Sequence, residues 1–132
     1  MELTGLVGWR GMVGSVLLER MAAEGDFELI EPRFFSTSDK GGAAPVHAKN
    51  ETRLHDAFDI EALRQCQTII TAQGGDYTKD VYPRLRAAGW KGFWIDAAGW
   101  AGVYDAEDDG WHGVVYGPPS AAETPSHLRR QR

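Results

Sequence analysis

With 132 residues, 42% of them hydrophobic and 25% charged, the chain has the size and composition of one soluble globular domain with its own core. A formal net charge of −5 argues against a general nucleic-acid binder, whose phosphate contacts need clustered Lys and Arg, and the basic end Arg129-Arg130-Gln131-Arg132 is too short to change that. No apolar run approaches the roughly 20 residues that span a bilayer, and Met1-Glu2-Leu3 lacks the basic opening of a signal peptide, so a cytoplasmic protein without membrane contact is expected.

In chain order, Leu3 to Val7 is a short apolar segment, predicted as the first strand. Gly8-Trp9-Arg10-Gly11-Met12-Val13-Gly14 follows at once, with three glycines at intervals of three. From Met12, the apolar positions Met12, Val13, Val16, Leu17 and Met21 recur at helical spacing, and Gly25-Asp26 ends that helix. A second strand is expected over Arg33 to Ser36, after Pro32, then a loop over Ser38 to Lys49 marked by Gly41-Gly42 and Pro45. Residues Thr52 to Phe58 fit either strand or turn. Asp59 caps a short predicted helix through Gln65. Thr68-Ile69-Ile70-Thr71-Ala72 is β-branched enough for a strand buried on both faces. Gln73-Gly74-Gly75-Asp76 turns the chain into a helix from Thr78 or Lys79 to Ala88, with Asp76 or Thr78 as candidate cap, and Phe93-Trp94-Ile95-Asp96 forms the next strand.

Strands alternating with helices predict an open α/β sheet, mostly parallel, with right-handed crossovers. Ligands on such sheets lie beyond the carboxyl ends of the strands, so Gly8 to Gly14, Ser36 to Ser38 and Gln73 to Asp76 should gather along one edge. A boundary is expected near Ala98. The tail from Gly99 to Arg132 shows no sustained periodicity, only Gly113-Val114-Val115-Tyr116 reads as a strand, and the tail is not expected to join the sheet as a regular part.

Three places carry chemistry. In a strand–loop–helix setting, the glycine loop is the arrangement that brings backbone N–H groups to a dinucleotide pyrophosphate. There Gly8 would allow the turn out of the strand, Gly11 the approach of the phosphate, and Gly14 close packing of the helix. After the second strand stands Ser36-Thr37-Ser38, where an NAD site would usually offer Asp or Glu. Hydroxyls can donate to a 2′-phosphate that a carboxylate would repel, and Arg10 can add a charge-assisted bond, which favours NADP. The alternative is that Ser and Thr simply open a loop. Gln73 with Gly74-Gly75 leaves backbone open to a ligand at the third strand's end, or makes an ordinary turn. The four histidines, His47, His55, His112 and His127, lack metal-ligand spacing and read as surface residues, so no metal is expected. Cys66, the one cysteine, excludes an internal disulfide and reads as a buried, inert thiol. Trp90 and Trp94 are expected to pack the sheet, and Asp105 to Asp109 to form a solvated acidic loop.

Taken together, Gly8 to Leu17, Phe34-Phe35-Ser36-Thr37-Ser38, Gln73-Gly74-Gly75-Asp76-Tyr77-Thr78 and Trp94-Ile95-Asp96-Ala97-Ala98 resemble, in order and spacing, the bacterial NADP-dependent aspartate-semialdehyde dehydrogenases over about residues 1 to 98. The resemblance implies a truncated Rossmann-like, NAD(P)-binding domain over 1–98 followed by an irregular tail over 99–132. It also implies a place in lysine, methionine and threonine biosynthesis, where the family reduces β-aspartyl phosphate to aspartate β-semialdehyde with NADPH. Family members are homodimers with a separate catalytic and dimerisation domain, a cysteine that forms a thioacyl intermediate, and a histidine acid/base. Carried over by position, Arg10, Gly11, Met12 and Val13 match the cofactor loop, Thr37 and Ser38 the region of the adenosine 2′-phosphate, and Gln73 a further cofactor contact; Gly8 and Gly14, from the glycine spacing, complete the candidate cofactor-binding set. After Ala98 the pattern departs. The family's Ser-Ser-Leu-Arg stretch, with its phosphate-binding arginine, is replaced by Gly99-Trp100-Ala101-Gly102, and no Asn-Cys-Thr-like motif follows. A frameshifted or shortened gene and genuine divergence are the two readings of that tail. The chain is therefore expected to bind NADP(H) and to lack activity alone. The alternatives are a non-catalytic nucleotide-binding or regulatory module and a nonfunctional fragment.

Overall fold

The computed structural model describes residues 1–97 and, beyond them, the backbone of three strand segments, 103–105, 110–112 and 114–116. The first strand, β1 (Glu2–Val7), leads through the glycine loop into α1 (Met12–Ala23). A single 3-10 turn over Asp26–Glu28, not anticipated from the sequence, leads into β2 (Ile30–Ser36). β3 (His55–Asp56), α2 (Ile60–Arg64), β4 (Thr68–Thr71), α3 (Gly75–Ala87) and β5 (Phe93–Asp96) follow. Three short strands lie further on: β6 (Val103–Asp105), β7 (Gly110–His112) and β8 (Val114–Tyr116).

The main sheet has the order β3-β2-β1-β4-β5-β8, and every pairing from β3 to β5 is parallel. From β1 the chain first winds outward to β2 and β3, then returns to place β4 on the opposite flank. The gap between β1 and β4 is therefore a topological switch point, where an open α/β sheet presents its binding crevice.

Alternation along the strands divides the core. Val7, Phe35, Ile69 and Trp94 point to one face, where they meet Ala62 and Leu63 of α2 and Val81 and Leu85 of α3. Their neighbours Leu6 and Phe34 point to the other face and meet Leu18 and Met21 of α1 with Phe27. Each buried side chain of this size stabilises the fold by roughly 1.5–3 kcal/mol. Trp94 anchors the first face, stacked on Tyr77 and edge-on to Tyr82 and Trp90. Trp90 is held by its indole N–H, which donates to the Cys66 carbonyl at 2.7 Å. Both tryptophans thus pack the sheet as expected.

The differences from expectation have local causes. β2 begins at Ile30 and contains Pro32, because β3 pairs only with Phe35 and Ser36; opposite Pro32 the strand has an open edge, where a missing N–H is tolerated. α3 begins at Gly75, three residues early, with Gly74 as N-cap and no side-chain cap. Neither Asp76 nor Thr78 caps it, since Thr78 is buried and its hydroxyl donates to Asp96 at 2.8 Å. Asp59 does cap α2, accepting from the N–H groups of Glu61 and Ala62. The tail contributes more than expected: β8 pairs antiparallel with β5 and covers an edge that would otherwise be exposed, while β6 and β7 form a separate two-stranded ladder. Of the predicted acidic loop, Asp105 lies in β6, and the remainder falls outside the described residues.

Candidate functional site

A cavity of about 350 Å³ opens at the carboxyl ends of β1, β2 and β4, within the range of small-ligand pockets. Gly8, Arg10, Gly11, Thr37, Ser38 and Gln73 line it, together with Trp9, Phe35, Ser36 and Ala72. Six of the nine residues singled out from the sequence thus surround one space. The other three lie in the first turn of α1: Met12 and Val13 have exposed side chains, and Gly14 is packed inward.

The glycines do different work. Gly8 has φ +76°, and a Cβ there would lie 2.6 Å from the Gln73 nitrogen, so the β1–α1 loop and the β4–α3 turn can pass each other only with glycine. At Gly14 a Cβ would meet the Gly8 carbonyl oxygen at 2.1 Å, which explains how α1 starts directly against the loop. Gly11 is unlike both. A Cβ there finds only the Gly8 carbonyl oxygen, 4.0 Å away, so packing within the protein does not demand glycine. The space beside Gly11 belongs to the cavity.

α1 has Gly11 as N-cap, no side-chain cap and no acidic residue in its first turn. Its first N–H groups are therefore left without an intrahelical or capping acceptor, at the positive end of a 12-residue helix. Such an end can receive an anion, provided the cavity supplies room.

Across the cavity, the β2 end is shaped by Ser36, whose Oγ accepts from the N–H groups of Ser38 (3.1 Å) and Asp39 (2.9 Å). Ser36 therefore builds the loop, while Thr37 and Ser38 reach the cavity lining. On the third side, the Gln73 N–H donates to Thr71 Oγ1 at 3.0 Å, fixing the turn that carries the glutamine. Trp9 was not anticipated as a wall residue. Its indole N–H donates to the Phe35 carbonyl at 3.1 Å and its ring lies edge-on to Phe34, while the Arg10 guanidinium sits 4.8 Å from the Trp9 ring centroid. The signal for Trp9 was its place inside the glycine loop, where a large flat residue is not required for the turn.

Charge is unevenly distributed. Arg10 stands at the glycine-loop side and pairs with Asp39 at 3.0 Å, both about half exposed. A neighbouring hollow of about 300 Å³ shares Thr37 and Gln73 but adds Asp76 and Asp80, which would repel a phosphate. Charge is accordingly more favourable to an anion at the end between Arg10, the α1 N-terminus and Ser38 than at the end near Asp76 and Asp80.

Cys66 is buried at the opposite end of the sheet from this cavity, just before β4, and burial pushes its thiol up to about 12. No cluster of three metal-ligating side chains exists among the described residues. Of the histidines, His47 stacks on Phe27 at 4.4 Å and His55 Nε2 bonds Glu51 Oε2 at 2.7 Å, so both have structural partners. No helix among the described residues is long and apolar enough to cross a membrane.

Comparison with known proteins bears on the family and the fold. Residues 4–124 match the family model for the NAD binding domain of semialdehyde dehydrogenase. The chain is similar to aspartate semialdehyde dehydrogenase from Francisella tularensis, at 47% identity and a TM-score of 0.69, over 74% of this chain and 27% of that one. It shares the fold of aspartate semialdehyde dehydrogenase II from Vibrio cholerae, crystallised with ASA, at 20% identity and a TM-score of 0.52, over 74% of this chain and 29% of that one. The chain thus spans little more than a quarter of the length of either relative.

Proposed function

The chain belongs to the semialdehyde dehydrogenase NAD-binding-domain family, and from that premise we propose that its cavity holds a nicotinamide dinucleotide, NADP(H) in preference to NAD(H). The observation that carries the reading is the gathering of residues 8–11 of the glycine loop, Thr37, Ser38 and Gln73 around one space, with an uncapped helix N-terminus and a cation at one end. The free position at Gly11 fits it, because glycine there serves a visitor rather than the fold.

In this reading, the backbone N–H groups of Met12, Val13 and Gly14 meet the pyrophosphate. Arg10 and the hydroxyls of Thr37 and Ser38 meet the adenosine 2′-phosphate, and the Gln73 amide bonds a more distal part of the cofactor. The bound cofactor supplies a hydride; the residues of this chain bind and orient it. The cofactor-binding unit is drawn over residues 1–98, with 99–132 as a tail that adds β8 to the sheet edge. Reduction of β-aspartyl phosphate to the semialdehyde, within the synthesis of lysine, methionine and threonine in the cytoplasm, is the activity of the whole dehydrogenase to which such a domain contributes. Catalysis there needs a reactive cysteine, and the single cysteine of this sequence is buried away from the cavity. The chain alone is accordingly a cofactor-binding piece without dehydrogenase activity, and a homodimer of the family's kind would need elements other than these.

Calorimetric titration tests the cofactor reading directly. Saturable binding of NADPH, at least several-fold tighter than NADH, is expected. Equal affinity for the two would remove the selectivity assigned to Arg10, Thr37 and Ser38, and the absence of binding to either by a folded chain would remove the reading itself.

A further inference from the structure

Asp39 occupies a built position at the mouth of the cavity. Its N–H is held by Ser36 Oγ at 2.9 Å and its carbonyl accepts from the Gly42 N–H at 3.0 Å, so the main chain is tied on both sides. Its carboxylate rests over Gly42, where a Cβ would lie 2.4 Å from Oδ2; a side chain at 42 would displace it. From there Oδ2 reaches Arg10 Nη2 at 3.0 Å, joining the β2–β3 loop to the glycine loop. The same guanidinium lies over the Trp9 ring, 4.8 Å from its centroid. Arg10, the cation placed to meet a phosphate in the cavity, is therefore already neutralised by an anion of the chain itself.

We propose that Asp39 is an internal competitor for the anion at Arg10, so that a 2′-phosphate binds by exchange, taking the guanidinium from a carboxylate that remains nearby and repels it. This rests on the dinucleotide reading above and adds to it a residue that sets the degree of selectivity. The physical consequence is a muted preference for NADP. The phosphate must replace an existing ion pair and tolerate a like charge within a few ångströms, whereas a 2′-hydroxyl meets no such penalty and can donate to the same carboxylate. Because both partners are half exposed, the effect is moderate.

The test is a double-mutant cycle on the full chain, read by calorimetry with four probes: NADP+, NAD+, 2′,5′-ADP and 5′-AMP. Asp39→Asn keeps the size of the side chain and one acceptor oxygen but removes the charge. It is expected to tighten NADP+ and 2′,5′-ADP about three- to tenfold, as removal of one exposed like charge would, and to leave NAD+ and 5′-AMP within about twofold of wild type. In an Arg10→Gln background the gain from Asp39→Asn is expected to shrink to about twofold or less, since the competition is for Arg10. Loss or absence of the gain for the phosphorylated probes, an equal gain for NAD+, or a gain undiminished without Arg10 would each overturn the proposal. If the folded chain bound 2′,5′-ADP with the Asp39→Asn gain but neither dinucleotide, exchange at Arg10 would stand and the dinucleotide reading would fall. Failure of all four probes to bind would overturn both.

Discussion

Gly8, Gly11 and Gly14 look equivalent as letters in a repeat, yet they separate on what a methyl group would meet. At Gly14 the methyl would collide with the Gly8 carbonyl oxygen, and at Gly8 with the Gln73 backbone in a left-handed conformation; at Gly11 it would enter open space. Gly14→Ala is therefore expected to destabilise the domain by about 2–4 kcal/mol, as backbone-level overpacking does, visible as a lowered midpoint in urea. Gly11→Ala should change stability by less than about 1 kcal/mol while weakening NADPH binding tenfold or more, as a methyl in the phosphate path would. A Gly11→Ala protein that binds NADPH like wild type would remove this residue from the site. Spacing alone identified the loop, but the demand for glycine at position 8 comes from Ala72 and Gln73 after β4, far along the chain, and at position 14 from the way the loop folds back on its own Gly8 carbonyl.

Among the elements, the join between β2, the loop before β3 and the end of α2 is made by charge. Arg33 is nearly buried and donates to Glu51 at 2.7 Å, to the Ala62 carbonyl at 3.0 Å and to Gln65 at 2.7 Å, while His55 bonds the second oxygen of Glu51. Partial burial would raise the Glu51 pKa, but hydrogen bonds and charge from Arg33 and His55 outweigh it and hold the carboxyl below its usual value of 4.5. The sign follows from that lowering. Glu51 stabilises the folded chain above pH 4.5, and its contribution fades as pH falls through the lower folded value. Because Glu51 is 35% exposed, the contribution is about 1 kcal/mol or less. Glu51→Gln is expected to lower Tm at pH 7 by about 2–5 °C and to flatten the loss of stability between about pH 5 and pH 3. A variant with the wild-type acid profile would show that the network does not couple folding to pH. None of this was readable beforehand: Arg33, Glu51 and His55 share no motif, and residues 52–58 had no pattern that chose between strand and turn.

For the whole molecule, the sheet separates the cavity from Cys66. The cavity lies at the carboxyl ends of the strands, and the thiol is buried at the other end, where its Sγ–H donates to the Ala62 carbonyl with Sγ 3.8 Å from the oxygen. With the thiol pushed up to about 12 and 2% of its residue surface accessible, a disulfide reagent at pH 8 should modify the native chain at least a hundredfold more slowly than the urea-unfolded chain. The purified chain should likewise give no cysteine-dependent reduction of β-aspartyl phosphate. Rapid native-state labelling, or turnover abolished by Cys66→Ser, would show that this cysteine is available for chemistry.

By itself the sequence determined the existence and order of β1, α1, β2, α2, β4, α3 and β5, the parallel α/β class, the glycine loop and the burial of the one cysteine. Each of these follows from local periodicity, turn chemistry or spacing, which a single stretch of chain contains in full. Only the tertiary structure decided the rest. The early start of α3, the entry of Pro32 into β2, the pairing of β8 with β5, the Arg33 network and the Arg10–Asp39 pair all depend on partners distant in sequence. The same holds for the opening Gly8–Gly14 loop: its glycines announced a turn, and contact with β4 and the β2 loop made that turn one wall of a cavity.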